Sequence, residues 1–404
     1  MAMTRVRRRI LAGAAAVALL AAPLATVSSA DAKPNPPAKP VTVMTRNLYL
    51  GADINRPVEA AQRQAAQTPT RPDLILGALA NATFATRAIV DQTDFRVRAG
   101  LLAEEIAVAA PDLVGLQEVA LWRSGPLQLA PGLVTVPNAQ DVDYDFLALL
   151  LDALAAHGAH YTAVSVAQRA DVESPSFSGA PTPASRDIRL TMHDVILMRV
   201  GDSLTVLDEG QQEFAENLQV GIAGLAFDFA RGYQWVDVRA GAQRFRFVNT
   251  HLEAFSSNIA YDQAAQLLEE ATAPDRSTVF VCDCNSDPVN GTIKAHDTRR
   301  HWEPYRLITG PEGGYTDEWK AFGRPADRPG FDAGDTSGLN ERVNESAPGS
   351  WTHRIDMIFG RTADGGGLKV DRGQVTGRDG DPRDPATGLW PSDHAGVVLR
   401  LRGL

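Results

Sequence analysis

Thr278-Val279-Phe280-Val281-Cys282-Asp283-Cys284-Asn285 is an apolar run that closes on an acid and an amide two residues apart. In a β-strand, period-two geometry sends Asp283 and Asn285 to one face and Cys282 and Cys284 to the other. The run therefore delivers two polar side chains to one spot at a strand end. Other apolar runs are built the same way. Val41-Thr42-Val43-Met44-Thr45-Arg46-Asn47 places Val41, Val43, Thr45 and Asn47 on one face, so Asn47 caps an apolar row. Asp112 to Val119 carries Gln117-Glu118, with Val114, Leu116 and Glu118 expected on one side. Arg244 to Leu252 carries Asn249-Thr250-His251, and Trp390-Pro391-Ser392-Asp393-His394 opens the strand Gly396 to Leu401.

Further strands are expected at Tyr161 to Val166, Asp194 to Arg199, Trp235 to Arg239 and Arg354 to Phe359. Helices are expected at Pro57 to Gln67, Pro72 to Phe84, Arg96 to Ala109, Asp143 to Ala156 and Tyr261 to Ala271. Strands outnumber helices, and the hairpin-like neighbours Trp235 to Val238 and Arg244 to Val248 call for mixed pairing. Two sheets covered by helices satisfy this pattern. Gly51 to Asp94 delays the second strand and reads as an insertion. Gly323 to Ser350 and Thr362 to Pro391 are rich in Gly, Pro and Asp and read as loops.

At 404 residues, with 44% hydrophobic and 22% charged residues, the chain can bury a large core, which excludes disorder of the whole. Residues 1–30 differ from the rest. Arg5, Arg7, Arg8 and Arg9 precede an apolar run, Ile10 to Leu24, and Ser28-Ser29-Ala30 offers a cleavage site. This reads as a signal peptide for a secreted protein, by the general or the twin-arginine route, with no membrane span after processing. The Pro-rich stretch 31–40 reads as an extended spacer before a catalytic domain at 41–404 with its insertion at about 51–94. Residues 1–30 hold four arginines and no acid, so the body carries 35 basic against 49 acidic residues, a net of -14. That charge disfavours tight non-specific binding to polyanions, while leaving room for a local groove or a site where a cation supplies the positive charge. The two cysteines are too few for a disulfide scaffold; a bridge across one residue is possible but strained, so buried free thiols are expected.

Phosphoester cleavage in water needs neutralised phosphoryl oxygens, a deprotonated water and help for the leaving oxygen. Glu118 and Asn47 are hard oxygen ligands suited to Mg²⁺, with Mn²⁺ or Ca²⁺ as substitutes. Asp283 and Asn285 can orient a water and contact a phosphoryl oxygen. His394 has an unperturbed pKa suited to taking a proton near neutrality, and Asp356 in Arg354-Ile355-Asp356 is the carboxylate to fix its tautomer.

Taken in order, Thr45-Arg46-Asn47-Leu48, Leu116-Gln117-Glu118-Val119, Asn249-Thr250-His251-Leu252-Glu253, Cys282-Asp283-Cys284-Asn285, Arg354-Ile355-Asp356 and Ser392-Asp393-His394 resemble the motifs of the endonuclease/exonuclease/phosphatase family, the deoxyribonuclease-I-like fold. The resemblance spans about Val41 to Leu401. It implies an α/β fold, a four-layered α/β sandwich of two packed mixed β-sheets flanked by helices, with the motifs at one edge. It also implies that Glu118, Asn47 and Asp393 serve the metal, and that His251, Asp283, Asn285, Asp356 and His394 are catalytic. Asn285 and Asn249 would contact the substrate. Which of His394, Asp283 and His251 is base and which is acid stays open. Cys-Asp-Cys-Asn stands where many members have Gly-Asp-Phe-Asn, and Arg46 where an aromatic is frequent.

The expected activity is an exported, metal-dependent phosphodiester hydrolase acting as a monomer. Nucleic acid is the leading substrate, with phospholipid, sphingomyelin or a small phosphoester as the alternative. A non-catalytic binding module on the same fold is disfavoured by the retained acids and His394. A serine hydrolase is disfavoured because Ser392 lacks a Gly-x-Ser-x-Gly elbow. His193, Asp194 and His353 read as structural, and His296 and His301 as part of a solvated Arg-rich face.

Overall fold

The computed structural model describes residues 39–130, 136–201, 203–222, 225–323, 332–344 and 349–404. The expected signal peptide and most of the spacer lie outside them. In chain order the elements are β1 (Val41–Asn47), α1 (Asn55–Gln67), α2 (Pro72–Gln92), α3 (Phe95–Ala109), β2 (Leu113–Pro126), β3 (Asp141–Asp145), α4 (Phe146–Ala156), β4 (Tyr161–Ser176) and β5 (Arg186–Arg199). They continue with β6 (Thr205–Glu213), β7 (Leu218–Ile222), β8 (Leu225–Phe229), β9 (Gly232–Ala240), β10 (Gln243–His251), α5 (Ser257–Glu270) and β11 (Ser277–Asp283). The last are α6 (Glu303–Thr309), β12 (Thr316–Asp317), α7 (Glu318–Gly323), β13 (Asp356–Arg361), β14 (Lys369–Thr376) and β15 (Gly396–Arg402).

One sheet runs β14-β15-β1-β2-β5-β4, with β3 added beside β2; the other runs β12-β13-β11-β10-β9-β6. Both are mixed. β1 is parallel to β2 and antiparallel to β15, while β11 is parallel to β10 and antiparallel to β13. Alternation along the central strands explains how the sheets stack. Val41, Val43, Leu113, Val397 and Leu399 face Phe245, Phe247, Val279, Val281 and Ile358 in one inter-sheet core. Their neighbours point the other way: Met44, Val114 and Val398 pack under Phe95, Leu102 and Ile106 of α3 and Leu150 and Leu154 of α4. On the far side, Val248, Phe280, Met357 and Phe359 pack under Ala264 and Leu267 of α5 and Leu307 and Ile308 of α6. Strands apolar on both faces thus give four layers, and each large side chain so buried contributes roughly 1.5–3 kcal/mol.

Three helix starts follow side-chain caps: Asp94 accepts from Arg96 N, Asp145 from Ala148 N and Ser256 from Ile259 N. The Asp145 cap corrects one expectation. The chain is still extended as β3 at Asp143, and the helix begins only at Phe146. Residues 55–67 and 72–92 are helical; α2 is long and apolar enough to cross a membrane, and here buries Ile75, Leu79, Ile89 and Val90 in the body. The expected loop Thr362 to Pro391 contains β14, an edge strand with no buried residue, antiparallel to β15.

The two sheets are also joined by a polar seam. Gln117 Nε2 donates to Asn249 Oδ1 at 2.7 Å, and Asn249 Nδ2 donates to Leu116 O at 2.9 Å and Val195 O at 3.3 Å. Beside it Gly115 lets the sheets approach: a Cβ there would lie 2.4 Å from Val281 Cγ2 and 2.6 Å from Asn249 Oδ1. All these groups are buried, so each needs the partner it has.

Candidate active site

Five chain segments end at one edge of the sandwich, and Asp283 is where they meet. Register places Asp283 between His251 of β10 and Asp356 of β13. Its Oδ2 accepts from Asn47 Nδ2 at 2.9 Å, lies 3.3 Å from His251 Nε2 and 3.8 Å from His394 Nε2. Its Oδ1 accepts from the Asn285 backbone N–H at 3.1 Å. Asn285 follows with φ of 45°, and its amide donates to Leu252 O at 3.0 Å.

The two histidines are held in different states. Arg231 Nη1 lies 2.7 Å from His251 Nδ1. A guanidinium can only donate, so Nδ1 accepts and the proton sits on Nε2, facing Asp283. Burial and the Arg231 charge push His251 well below its ordinary value, which keeps it neutral. His394 Nδ1 instead faces Asp356 Oδ2 at 2.8 Å. Burial opposes charge on His394, but the carboxylates of Asp356, Asp283 and Asp393 outweigh it and hold the ring well above its ordinary value. Asp356 is in turn fixed by Thr336, whose hydroxyl accepts the Asp356 N–H at 3.1 Å. Ser392 is a support, as its place in the motif suggests: its hydroxyl donates to Asn47 O and accepts from His394 N.

Glu118 reaches the site by an irregularity that the sequence hides. Strict alternation would turn it with Val114 and Leu116 toward the helices. A register shift between Leu116 and Val119 against β5, with Glu118 at φ of 55°, breaks that alternation. Bulges of this kind re-aim a side chain next to active sites. Glu118 Oε2 accepts from Leu50 N at 2.8 Å, and its charge acts on Asp283 and Asp393.

Behind these acids lies a cation. Arg98 of α3 is fully buried and donates to the carbonyls of Leu48, Tyr49, Thr93 and Pro391 at 2.6, 2.9, 2.7 and 3.1 Å. Burial draws it down to about 10. It stitches the turn after β1 to the turn before β15. Arg46 does similar work in the neighbouring layer, donating to His394 O and pairing with Glu105 at 2.9 Å.

The donor set fits a divalent cation. Burial raises Asp283 to about 7, against the pull of His394, and desolvation raises Asp393 to about 6. Asp356 Oδ1 is buried without a hydrogen-bond partner. So many hard oxygens with so little positive charge among them are what Mg²⁺ or a similar ion neutralises. Asp283, Asp356 and His394 form a buried group that could hold a metal, with ligand atoms within 4.8 Å of one another. Within that trio His394 Nδ1 is already committed to Asp356 Oδ2 at 2.8 Å. Asn47 Oδ1 already accepts from Tyr49 N at 2.8 Å, so one lone pair remains for an ion.

Two expectations are corrected. Asn249 is fully engaged inside the polar seam between the sheets, which removes it from contact with a substrate. Cys282 and Cys284 are joined in a disulfide rather than free, with their Cα atoms 5.0 Å apart. His193 Nδ1 meets Val119 O at 3.2 Å, Asp194 pairs with Arg169 at 2.9 Å, and exposed His353 sits 3.3 Å from Asp287. Arg98, Arg231 and Thr336 carry no sequence signal: they sit in a helix or loops, outside any motif.

No family model and no curated protein matches the chain. Among solved structures, it is similar to D. rerio TDP2 complexed with a single-strand DNA product: 16% identity, 90% of this chain and 99% of that one covered, TM-score 0.48. It is also similar to an endonuclease/exonuclease/phosphatase from Beutenbergia cavernae (20%, 90% and 72%, TM-score 0.49) and to a mannosyl-6-phosphatase of Bacteroides thetaiotaomicron (17%, 89% and 99%, TM-score 0.48). Two mixed sheets stacked between helices carry Asn47, Glu118, His251, Asp283, Asp356 and His394 to one edge, the four-layered arrangement that the sequence resemblance leads one to expect.

Proposed function

We propose that this chain is a divalent-metal-dependent phosphodiester hydrolase, with nuclease its leading activity. One observation carries the reading: Asn47, His251 and His394 converge on Asp283 Oδ2 while His394 is backed by Asp356. Asp283, raised to about 7, has its proton affinity where a general base works best and takes the proton of the attacking water. His251, neutral with its proton on Nε2, donates a hydrogen bond that holds the Asp283 carboxylate in place. His394 stays protonated beside Asp356 and offers a fixed positive charge to a phosphoryl oxygen. Asn285, poised by its left-handed turn, donates to the same group. Glu118, Asp393 and Asn47 would hold the metal, which when bound supplies charge neutralisation and acidifies water.

The N-terminal Arg-rich apolar segment and the Cys282–Cys284 bridge, of a kind that persists in oxidising compartments, support secretion. The test is a panel of DNA, RNA, sphingomyelin and a simple phosphodiester, with Mg²⁺ or with chelator, for wild type, Glu118→Gln and His394→Ala. Turnover of nucleic acid that needs Mg²⁺ and falls in both variants is expected. Identical behaviour of all three proteins on every substrate would sink the catalytic reading, and preference for sphingomyelin would move the substrate.

A further inference from the structure

We propose that the Cys282–Cys284 disulfide is a positioning device for Asp283 and Asn285. This rests on the hydrolase reading only for its effect on turnover. In an extended strand, residues two apart span roughly 6.5 Å. Here the Cα atoms are 5.0 Å apart, so the covalent ring closes around a compressed Asp283. Both cysteines are fully buried among Phe280, Met357, Tyr305 and Leu307, on the face away from the site. Sheet pairing extends to this point and stops: Asp283 O accepts from Leu252 N at 3.0 Å, Cys284 N donates to Ile355 O at 2.8 Å, and Asn285 turns at φ of 45°.

Elsewhere in the site, position is enforced by neighbours. Asn47 and His394 are fixed through Ser392, Arg46 and Arg98, whereas the Asp283-to-Asn285 segment stands at the last ladder bond on each side, Leu252 N to Asp283 O and Cys284 N to Ile355 O, before the chain turns at Asn285. The bridge does what a further rung would do: it fixes the backbone on either side of Asp283 and sets the direction in which the chain leaves for Asn285. A ring of sequence separation 2 removes little freedom from the unfolded chain, so its contribution is local geometry more than global stability.

Protein purified from an oxidising compartment is unfolded with and without a trialkylphosphine, alkylated with iodoacetamide and weighed. Reduction gives two thiols and the phosphine oxide, with water supplying the oxygen and both protons. Alkylation of Cys282 and Cys284 only after the phosphine is expected; two alkylated thiols without it overturn the bridge. In parallel, Cys282→Ala/Cys284→Ala and the single variant Cys284→Ala are assayed on a simple phosphodiester with Mg²⁺. Expected are a fall in kcat of about tenfold or more with KM little changed, and faster hydrogen exchange over 281–287 but not over β1 or β15. Unchanged exchange over 281–287, or an unchanged kcat in both variants, overturns the positioning role. Alkylation and exchange are read without turnover, so a wild type inert on every phosphoester refutes the hydrolase reading and leaves the outcomes of those two measurements standing.

Discussion

Replacing Asp283 by Asn should cost activity and yet raise stability above neutral pH. The folded protein holds Asp283 at about 7 against an ordinary value of 3.8, chiefly by burial. At about 1.36 kcal/mol per pH unit, keeping this carboxylate ionised destabilises the native state by about 4 kcal/mol. The folded value lies above the unfolded one, so this part of the stability is fully present below about pH 4 and lost as pH rises through about 7. Between pH 5 and pH 9 the remaining loss is about 3 kcal/mol. Asp283→Asn does not titrate and escapes it, but its NH₂ must face at least one of the donors from Asn47, His251 or Asn285, at about 1–2 kcal/mol. Near pH 5 the two proteins should be about equally stable. By pH 9 the variant should be ahead by up to about 3 kcal/mol, less what His394 loses with its partner. Urea unfolding followed by tryptophan fluorescence, at pH 5, 7 and 9 with chelator present, measures the difference. A gap that changes by less than about 1 kcal/mol over that range refutes the reasoning.

Asp356→Asn removes the carboxylate that does most to hold His394 above its ordinary value, so the ring loses its proton at lower pH. The alkaline limb of kcat/KM should move down in pH, with turnover reduced about 10²-fold; a limb that stays put counts against the charged role of His394. Gly115→Ala pushes a Cβ to 2.4 Å from Val281 Cγ2 and 2.6 Å from Asn249 Oδ1. A loss of about 1–3 kcal/mol in urea unfolding is expected, and a neutral outcome would show that the sheets can part there at no cost.

The central strands are legible in the sequence because burial on both faces leaves a dense apolar signal, as in β1, β10 and β11. The edge strands β6 and β14 are not: with no buried residue in either, their side chains follow solvent rather than a core. The motif residues can be picked out because each stands where an apolar run stops. Glu118 is identified by that signal but assigned the wrong face, since a bulge cannot be seen in alternating residues. Arg98 and Arg231 are invisible for a different reason. Their partners are carbonyls and a histidine ring distant in the chain, and nothing local distinguishes them from surface arginines.

Arg98 also ties together segments that are made at very different times. The carbonyls it holds belong to Leu48, Tyr49, Thr93 and Pro391, and β1 is flanked by β15 as well as β2. A nascent chain that has not yet delivered residues 390–402 lacks the strand beside β1, one of the four carbonyls and the site's own Asp393 and His394. The other motifs would already have left the ribosome by then. On the proposed reading, activity would therefore arrive only with β15, and a product truncated before residue 390 would lack Asp393 and His394.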